Sequence, residues 1–369
     1  MPTKVAIIHD WLLFYRGGER VLEAICELYP EADIFTLFGR PDRLPPSLAE
    51  HKIHTSFLNH LPRVERYYRY LLPFFPRAIE RFDLSEYNLV ISSSHCIAKG
   101  VIPSANAKHL CYCHTPARYF WDKYDDYFGE HPLEPLIRPF VRSLRAWDKQ
   151  SSSRVDQFVA NSNRVRERIR DYYDRSAEVI HPFAALDNFT LSKEKRENFY
   201  LVVTALVPYK KVEIAVEACN ALGRELWIVG TGPSEKKLKS LAGKNVRFLG
   251  QANPESLRNI YAKARALLFP GEEDFGIAPL EAMASGTPVI ALGKGGILDT
   301  VIDGETGLFF REPTVENLKE ALLRFEGCVF DPLKCRTQAE KFTRRQFQSD
   351  FKKAISGMLA GSSAPSLPS

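Results

Sequence analysis

The sequence predicts an α/β fold made of two doubly wound domains. Short apolar runs alternate with amphipathic helical patterns along the 369 residues, which is typical of parallel sheets covered by helices on both faces. A stretch without periodicity, residues 182–198, divides the pattern into two halves with six such runs each. The length also favours two domains, since a domain usually has roughly 100–200 residues.

The apolar runs are the predicted strands, and they set the domain boundaries. They cover residues 5–9, 33–38, 89–93, 109–113, 157–161 and 178–181, then 199–205, 226–230, 246–250, 266–270, 288–292 and 307–310. We predict an N-terminal domain over 1–185, a second over 186–340, a helix over 341–360 that returns to the first domain, and a disordered tail over 361–369. Two such domains facing each other across a cleft can hold one ligand at the carboxyl ends of their strands.

Composition and charge exclude some classes of protein. A content of 45% hydrophobic and 26% charged residues is that of a soluble globular chain, and a net charge of +5 does not choose among anionic partners. We find no apolar run of 18 residues, no signal-peptide pattern and no nucleic-acid-binding module, so we expect a cytoplasmic protein with no nucleic-acid partner. The seven scattered cysteines predict reduced, mostly buried thiols. Cys111 and Cys113, next to His114, suit buried strand positions better than a metal site.

The stretch GEEDFGIAPLEAMASGTPVIA, residues 271–291, carries the most specific chemistry. A loop follows the strand 266–270, and we predict a helix from Gly276 to Ser285 with Pro279 in its first turn. The free N–H groups of a helix start bind anions, and Gly276 allows a close approach to the backbone. Glu273 and Glu281 flank this point, where each carboxylate suits a vicinal diol of ribose or hexose. The alternative is one solvent-facing acid and one capping acid.

This stretch resembles the Glu-x7-Glu signature of the family 4 retaining glycosyltransferases, which have the GT-B fold of two facing Rossmann-like domains. Five further blocks stay in register with that family, namely HDWLLFYRGGERVLEAI (9–25), CYCHTPARYFWDKY (111–124), VANSNRVRERI (159–169), LVPYKKVEIAVEA (206–218) and VRFLGQANPESLRNIYAKARALLFP (246–270). The segments HTPARYFWDKYDDY and PGEEDFGI are most similar to bacterial mannosyltransferases that use GDP-mannose in O-antigen or other surface-glycan assembly. The resemblance therefore implies transfer of a hexose, mannose above all, to a hydroxyl of a lipid-linked glycan.

The resemblance also implies roles for single residues. Glu281 would bind the ribose diol, Glu273 the transferred sugar near its 3-hydroxyl, and Lys210 the diphosphate leaving group. His114 would contact the donor sugar near O6; as an isolated residue it would more often be a loop or capping histidine. The remaining donor-side positions are Gly17, Gly18, Lys211, Gly230, Gly232, Phe275, Gly276 and Ile277. For the Gly17–Gly18 pair the alternative is a tight turn, and for Lys210 and Lys211 it is a solvated helix start.

One departure from the family pattern concerns the diphosphate. Where many members have an arginine five residues before the lysine, this chain has Ala205. Lys211, Arg16 or Arg118 are the cations that can compensate, and the sequence does not choose among them. A noncatalytic subunit that binds a nucleotide or glycan therefore stays open as an alternative. Separately, another GDP- or UDP-sugar stays open as the donor.

The expected mechanism needs no metal and no cofactor. No Asp-x-Asp metal-binding pattern is evident, and a front-face transfer lets the departing diphosphate accept the proton of the incoming hydroxyl. The acceptor side has two basic, aromatic stretches, residues 61–81 and 135–147. Both suit an anionic membrane surface that presents a lipid-linked acceptor, which would place the protein peripherally at the inner face of the plasma membrane. An amphipathic helix packed on the sheet is the equally supported alternative for each stretch.

Overall fold

The computed structural model describes residues 3–122, 124–125, 129, 132, 134–191 and 196–361. The chain divides into two compact units, one formed by Met1–His181 with Phe347–Ser369 and the other by Pro182–Gln346. Parts of three predicted segments lie outside the described residues: 123, 126 and 127 of the histidine block, 192–195 of the connecting stretch and 362–369 of the tail. Gly361, which we assigned to the tail, is the last residue of a helix.

The first unit contains a parallel sheet of seven strands in the order β3-β2-β1-β4-β5-β6-β7. The strands are β1 Val5–Leu12, β2 Asp33–Gly39, β3 Ile53–Thr55, β4 Leu89–Ser94, β5 Lys108–Cys113, β6 Gln157–Ala160 and β7 Ala177–Val179. The described helices of this half are α1 Gly17–Cys26, α2 Pro46–Ala49, α3 Phe75–Ile79, α4 Glu134–Ser151 and α5 Asn163–Tyr173. The Ser162 side chain accepts a hydrogen bond from the Val165 amide at 3.2 Å, which caps α5.

The second unit contains a parallel sheet of six strands in the order β10-β9-β8-β11-β12-β13. The strands are β8 Phe199–Val203, β9 Glu225–Val229, β10 Val246–Gly250, β11 Ala266–Phe269, β12 Val289–Leu292 and β13 Gly307–Phe310. The helices that follow in the chain are α6 Val212–Leu222, α7 Glu235–Leu241, α8 Pro254–Lys263, α9 Ile277–Ala284, α10 Ile297–Thr300, α11 Val315–Glu326, α12 Pro332–Ala339 and α13 Arg344–Gly361.

The predicted α/β, two-domain fold class is confirmed, with small differences in the strands. β3 was not predicted, because it has only three residues, all half-buried, that pair with the edge of β2. β1 runs to Leu12 rather than His9, since Trp11 and Leu12 continue the register with Phe38 and Gly39 of β2. β8 ends at Val203, so Ala205 lies in the following loop.

The last described helix contributes to the core of the first unit. The rings of Phe347 and Phe351 lie 5.5 and 6.2 Å from that of Tyr112 in β5. The Gln348 amide donates a hydrogen bond to the Ala24 carbonyl in α1 at 3.0 Å. Burial of these aromatic rings stabilises the unit, since an aromatic side chain removes a large apolar area from water.

The strand order places one crevice in each unit. Successive strands are added on one side of β1, and the chain then crosses to β4 on its other side; β8 and β11 repeat this relationship. In open α/β sheets ligands bind at this switch point, beyond the carboxyl ends of the two central strands. Functional residues are therefore expected after β1 and β4 in the first unit and after β8 and β11 in the second.

The structure tests the expectation that most cysteines are buried. Cys111 and Cys113 are buried in β5, as predicted, and of the seven cysteines Cys328 is exposed. Within the part of the chain that the structure describes, no three His, Cys, Asp or Glu side chains are grouped so as to hold a metal ion. Over the same residues, we find no helix with the length and apolarity needed to span a bilayer.

Candidate active site

Lys210 and Glu273 meet at the switch point of the second unit. Lys210 ends the 3₁₀ turn Pro208–Lys210 after β8, and Glu273 lies in the loop after β11. The Lys210 Nζ and Glu273 Oε1 atoms form an ion pair, with 14% and 21% of the two side chains exposed. Partial exposure leaves an ammonium and a carboxylate within reach of a ligand at the strand ends, where they can neutralise an anion and accept hydrogen bonds from hydroxyls.

The loop that carries Glu273 is held by glycines of the loop after β12. The Gly296 amide donates to the Glu273 carbonyl at 2.9 Å. Gly295 has a φ of 85°, and a Cβ there would lie 2.4 Å from that carbonyl oxygen. Gly271, at the start of the Glu273 loop, packs against Lys210, since a Cβ on Gly271 would lie 2.9 Å from the Lys210 Cα. Small residues on both sides therefore fix the two charged residues next to each other.

The predicted anion-binding helix start is present, with a small shift. Gly276 precedes α9 as its N-cap, with φ 91° and ψ 97°, and Pro279 is the third helical residue. A Cβ on Gly276 would come within 2.9 Å of the Phe269 ring. Phe275 is buried, and its ring lies 5.8 Å from that of Phe342, so its side chain anchors the loop while its backbone, with that of Gly276 and Ile277, leads into the helix. The first amides of a helix lack intrahelical acceptors and are the donors that an anion uses.

Glu281 lies one turn inside α9 and is oriented by a tyrosine. The Tyr261 hydroxyl, on α8, donates to Glu281 Oε2 at 3.0 Å. Burial, the Glu281 charge and this hydrogen bond raise the pKa of Tyr261 well above its ordinary value, which keeps the hydroxyl protonated. One carboxylate oxygen of Glu281 is thus positioned by the protein. Sequence reasoning missed Tyr261, because nothing in its helix pattern distinguishes it from a core aromatic.

Gly230 and Gly232 pack against the chain's own backbone. Gly230 has a φ of 135°, and a Cβ there would lie 1.8 Å from the Thr204 carbonyl oxygen; for Gly232 the contact is with the Leu206 carbonyl at 2.4 Å. Close packing between the loops after β9 and β8 thus accounts for both glycines. Their predicted approach to a nucleotide stays a prediction.

The three cations that can compensate for Ala205 differ in their surroundings. Ala205 is exposed, and so is Lys211, which has a left-handed φ of 53° and is the N-cap residue of α6. In the other unit, the Arg16 guanidinium lies 5.0 Å from the Phe14 ring, and Arg118 Nε is 3.9 Å from Asp122 Oδ2.

In the first unit, His114 directly follows β5 beside the start of α1. The helix begins at Gly17, two residues earlier than predicted, so Gly17 and Gly18 form its first turn rather than a preceding loop. A Cβ on Gly18 would lie 3.9 Å from His114 Cε1. His114 Nε2 is 2.9 Å from Ser93 Oγ, at the end of β4. Burial, followed by the charges of His95 and His9, lowers the pKa of His114 to about 3, so the ring is neutral at physiological pH.

A polar cluster that sequence reasoning missed surrounds His114. Its members are His9, Asp10, Glu19, Ser93 and His95, and the His9 and His95 rings lie 6.5 and 6.3 Å from the His114 ring. The available signal in the sequence was a histidine and an aspartate within an apolar strand, because polar residues that are buried in a strand need hydrogen-bond partners. The cluster lies at the switch point between β1 and β4.

Asp10 organises the backbone of this cluster. Its fully buried carboxylate accepts hydrogen bonds from four successive amides, those of residues 95–98, at 2.6–2.9 Å. Burial alone would raise the pKa of Asp10, but the nearby His95 and His9 and these N–H donors outweigh it and hold the pKa below its ordinary value. Asp10 therefore stays ionised and fixes the turn that carries His95.

Glu19 connects α1 to the same cluster. Its carboxylate accepts from the Arg16 backbone N–H at 2.8 Å, which gives the N-cap amide of α1 a partner. His9 Nε2 is 3.7 Å from Glu19 Oε1. Although burial opposes ionisation, hydrogen bonding and attraction to His9 lower the pKa of Glu19 to about 2.

Each half of the chain matches a family model of glycosyltransferases. Residues 15–188 match the family model described as Glycosyltransferase Family 4, and residues 185–342 match the model described as glycosyl transferases group 1. The chain is 29% identical to an uncharacterized glycosyltransferase of Methanocaldococcus jannaschii, over 52% of this chain and 56% of that protein. It is 25% identical to the alpha-1,3/1,6-mannosyltransferase ALG2 of Dictyostelium discoideum, over 62% and 63%.

A third relative, the O-antigen chain mannosyltransferase RfbU of Salmonella typhimurium, is 28% identical over 55% of this chain and 65% of that protein. The chain thus matches less than two thirds of the length of each of these relatives. Among solved structures, Anabaena HepE in complex with UDP has a TM-score of 0.72 at 15% identity, covering 96% of this chain and 100% of that one. These matches and the two parallel sheets place the chain among the family 4 glycosyltransferases of GT-B fold.

Proposed function

We propose that the protein is a retaining glycosyltransferase that transfers a hexose, mannose from GDP-mannose, to a hydroxyl of a lipid-linked glycan. The observation that carries the proposal is the Lys210–Glu273 ion pair beside the start of α9, with Glu281 one turn further on. A nucleotide-sugar has the matching groups: a diphosphate for the ammonium and the helix amides, and hydroxyls for the two carboxylates.

In this proposal, each of these residues binds a different part of the nucleotide-sugar donor. Lys210 and the amides at Phe275, Gly276 and Ile277 hold the diphosphate, and Glu273 positions the sugar. Glu281, oriented by Tyr261, accepts hydrogen bonds from the ribose diol. In the first unit, we assign His114 and the α1 start at Gly17 and Gly18 to the transfer step as well.

The transfer breaks the bond between the sugar C1 and the phosphate oxygen and forms a bond from C1 to the acceptor oxygen on the same face. The proton of the acceptor hydroxyl passes to the departing phosphate oxygen, so no protein nucleophile is required. Negative charge grows on the diphosphate as it leaves. Lys210 and the helix amides stabilise this charge, which is the largest contribution that a preorganised site makes to such a reaction.

The identity of the donor sugar is supported by two relatives whose names state mannosyltransferase activity. A structural neighbour binds UDP, which favours keeping another GDP- or UDP-sugar as the second candidate. A noncatalytic nucleotide-binding subunit is the third candidate, because Ala205 removes one cation from the diphosphate site. Lys211 is our choice for the compensating cation, since it is exposed and adjoins Lys210 in the same unit.

The acceptor side includes an anionic membrane surface in our proposal. In the stretch 61–81, Tyr68 and Phe75 are buried in the core, whereas Tyr70 and Phe74 are 83% and 54% exposed. On α4, Leu136 is exposed while Val141 and Leu144 face the core. Both stretches therefore combine core packing with exposed apolar side chains, and the latter can insert among lipid headgroups.

Thermal shifts with a donor panel test the proposal. GDP-mannose, GDP-glucose, UDP-glucose, GDP and UDP are each added to the purified full chain, because a ligand that binds only the folded state raises the Tm. We expect the largest shift with GDP-mannose and GDP. Stabilisation by the UDP compounds alone would contradict the mannose assignment, and no shift with any compound would contradict nucleotide-sugar binding. A shift with GDP-mannose but neither transfer nor hydrolysis would support the noncatalytic candidate.

A further inference from the structure

A chain of hydrogen bonds in the first unit ends at His114. The Ser93 hydroxyl lies 2.9 Å from His114 Nε2 and 3.1 Å from His9 Nδ1. Ser93 and His9 are both fully buried, so water does not compete for these contacts. A hydroxyl carries a single proton and can donate to only one of the two imidazoles. Which histidine receives that proton decides which nitrogen of His114 carries a hydrogen.

The backbone of Ser93 settles the direction. His9 Nδ1 also lies 3.1 Å from the Ser93 carbonyl oxygen, which can only accept. His9 Nδ1 must therefore carry a proton and donate it toward Ser93. The other nitrogen of His9, Nε2, lies 3.7 Å from Oε1 of the Glu19 carboxylate. Since His9 donates on this side, the Ser93 proton is left for His114.

We infer that Ser93, oriented by His9, fixes His114 in the tautomer that carries its hydrogen on Nδ1. His114 Nε2 then accepts from Ser93 Oγ, and Nδ1–H is the donor that the ring offers to a substrate oxygen. Ser93 is a positioning residue in this account, and the substrate group that His114 recognises is a hydrogen-bond acceptor such as a sugar hydroxyl oxygen. The kinetic consequence rests on the proposed function, whereas the tautomer itself does not.

The neutral state of the ring makes the tautomer decisive. An imidazolium would donate from both nitrogens, but the low pKa of His114 excludes that form at physiological pH. A neutral ring with the opposite tautomer would present an unprotonated nitrogen to the substrate, and that nitrogen can accept a hydrogen bond from a hydroxyl but cannot donate one to its oxygen. The hydroxyl of Ser93 therefore determines whether His114 donates or accepts the hydrogen bond with this group.

The tautomer is measured directly in the full chain without any ligand. Nitrogen-15 labelling of the histidines and long-range proton–nitrogen correlation spectra distinguish a protonated from an unprotonated ring nitrogen, and His114→Gln assigns the signals. We expect the protonated type at Nδ1 and the unprotonated type at Nε2 of His114. A proton on Nε2 would overturn the inference. Because no donor is present, failure of the proposed function leaves this result unaffected.

Variants of Ser93 separate positioning from folding. Ser93→Ala should give a mixture of His114 tautomers and lower kcat about 10-fold, the value of one ordinary hydrogen bond. Ser93→Thr keeps the hydroxyl and should restore both the tautomer and kcat. The matched control is Ser92→Ala, since Ser92 is equally buried and contacts a different histidine, His109, at 2.8 Å. A single unchanged His114 tautomer in Ser93→Ala, or the same mixture in Ser92→Ala, would contradict the role of Ser93.

Discussion

The Lys210 ammonium and the Glu273 carboxylate form an ion pair at the carboxyl ends of the central strands of the second unit. Each residue comes from a different loop, and glycines hold the two loops together. An ion pair of this kind keeps both side chains in place before a ligand binds. When a nucleotide-sugar binds, its diphosphate can contact the ammonium, and the carboxylate can accept hydrogen bonds from the sugar hydroxyls.

Removing either charge should impair transfer far more than folding. We expect Lys210→Met to lower kcat by about 10²- to 10³-fold, because one preorganised charge partner of the leaving group is lost. Glu273→Gln should lower kcat by a similar factor, because the carboxylate that positions the transferred sugar is lost. The matched control is Lys294→Met, which breaks an exposed ion pair with Glu312 at 3.0 Å in the same unit. Initial rates of sugar transfer check this, and equal activity in Lys210→Met and Lys294→Met would contradict the role of Lys210.

The glycine that supports Glu273 provides a test of the loop geometry. Gly295→Ala and Gly304→Ala both place a side chain at positive φ, with angles of 85° and 78°. Both should lose about 1–2 kcal/mol of unfolding free energy through backbone strain. Only at Gly295 does the new Cβ meet the Glu273 carbonyl oxygen, whereas nothing lies within 4 Å at Gly304. We therefore expect a further loss of stability and of donor affinity in Gly295→Ala alone, measured by denaturant unfolding and calorimetry.

Tyr261 should matter for nucleotide binding through Glu281. Tyr261→Phe removes a hydrogen bond to a carboxylate, which is worth about 1.5–3 kcal/mol, so we expect GDP affinity to fall by about 10-fold or more. Tyr200→Phe is the matched control, since it removes a hydrogen bond to Glu326 at 3.1 Å in the same unit. Isothermal titration calorimetry with GDP compares the two. An equal loss of affinity in both variants would indicate general destabilisation rather than a role for Glu281.

Acid should destabilise the first unit through buried histidines. Burial lowers the pKa of His109 from 6.5 to about 4, and its ring nitrogens contact the Arg154 carbonyl and the Ser92 hydroxyl. Between these pH values the unfolded chain binds the proton more readily, so the free energy of unfolding falls as the pH drops from 6.5 toward 4. The contribution of His109 is about 3 kcal/mol.

The slope of unfolding free energy against pH tests this assignment. In His109→Gln the slope between pH 6.5 and 4.5 should be shallower than in the parent chain, even if the variant is less stable throughout. His60→Gln, which replaces an exposed histidine, is the control and should keep the parent slope. Urea unfolding at several pH values gives the slopes. A parent-like slope in His109→Gln would show that this histidine does not contribute.

The exposed aromatic residues of the first unit should mediate membrane binding. We expect the Tyr70→Ser, Phe74→Ser double variant to float less with anionic liposomes than the parent chain, because both side chains are exposed. Val329→Ser, which replaces a 97% exposed apolar residue of the second unit, should float like the parent. Binding that is unchanged in the double variant, or absent in the parent at low salt, would contradict the membrane proposal.

The sequence predicted most of the fold because parallel strands form apolar runs that stand out between helices. The ion pair of Lys210 and Glu273 was not predicted, since these residues are distant in sequence and only strand order brings them together. The cluster around His9 and Asp10 was missed for the same reason. Polar atoms in β1 acquire their partners from β4, α1 and the turn after β4, and no local pattern reveals these contacts.

The sequence shows where glycines occur but not which atoms lie against them. Gly276 was correctly placed at the start of a helix, where a positive φ is required. Gly230 and Gly232 follow a strand in a pattern that also suits nucleotide binding, but their close contacts are with the loop 204–206. A glycine in sequence indicates that something approaches the backbone, and only the structure identifies what that is.

The most direct test of the central claim is the anomeric form of the sugar released from GDP-mannose. Proton NMR follows the slow hydrolysis of the donor by the full chain, a measurement that needs no acceptor. We predict that α-mannose appears first, before mutarotation, and that Glu273→Gln releases it at least about 100-fold more slowly. Initial release of the β-anomer, or equal rates with Glu273→Gln, would contradict a retaining transferase that positions its sugar with Glu273.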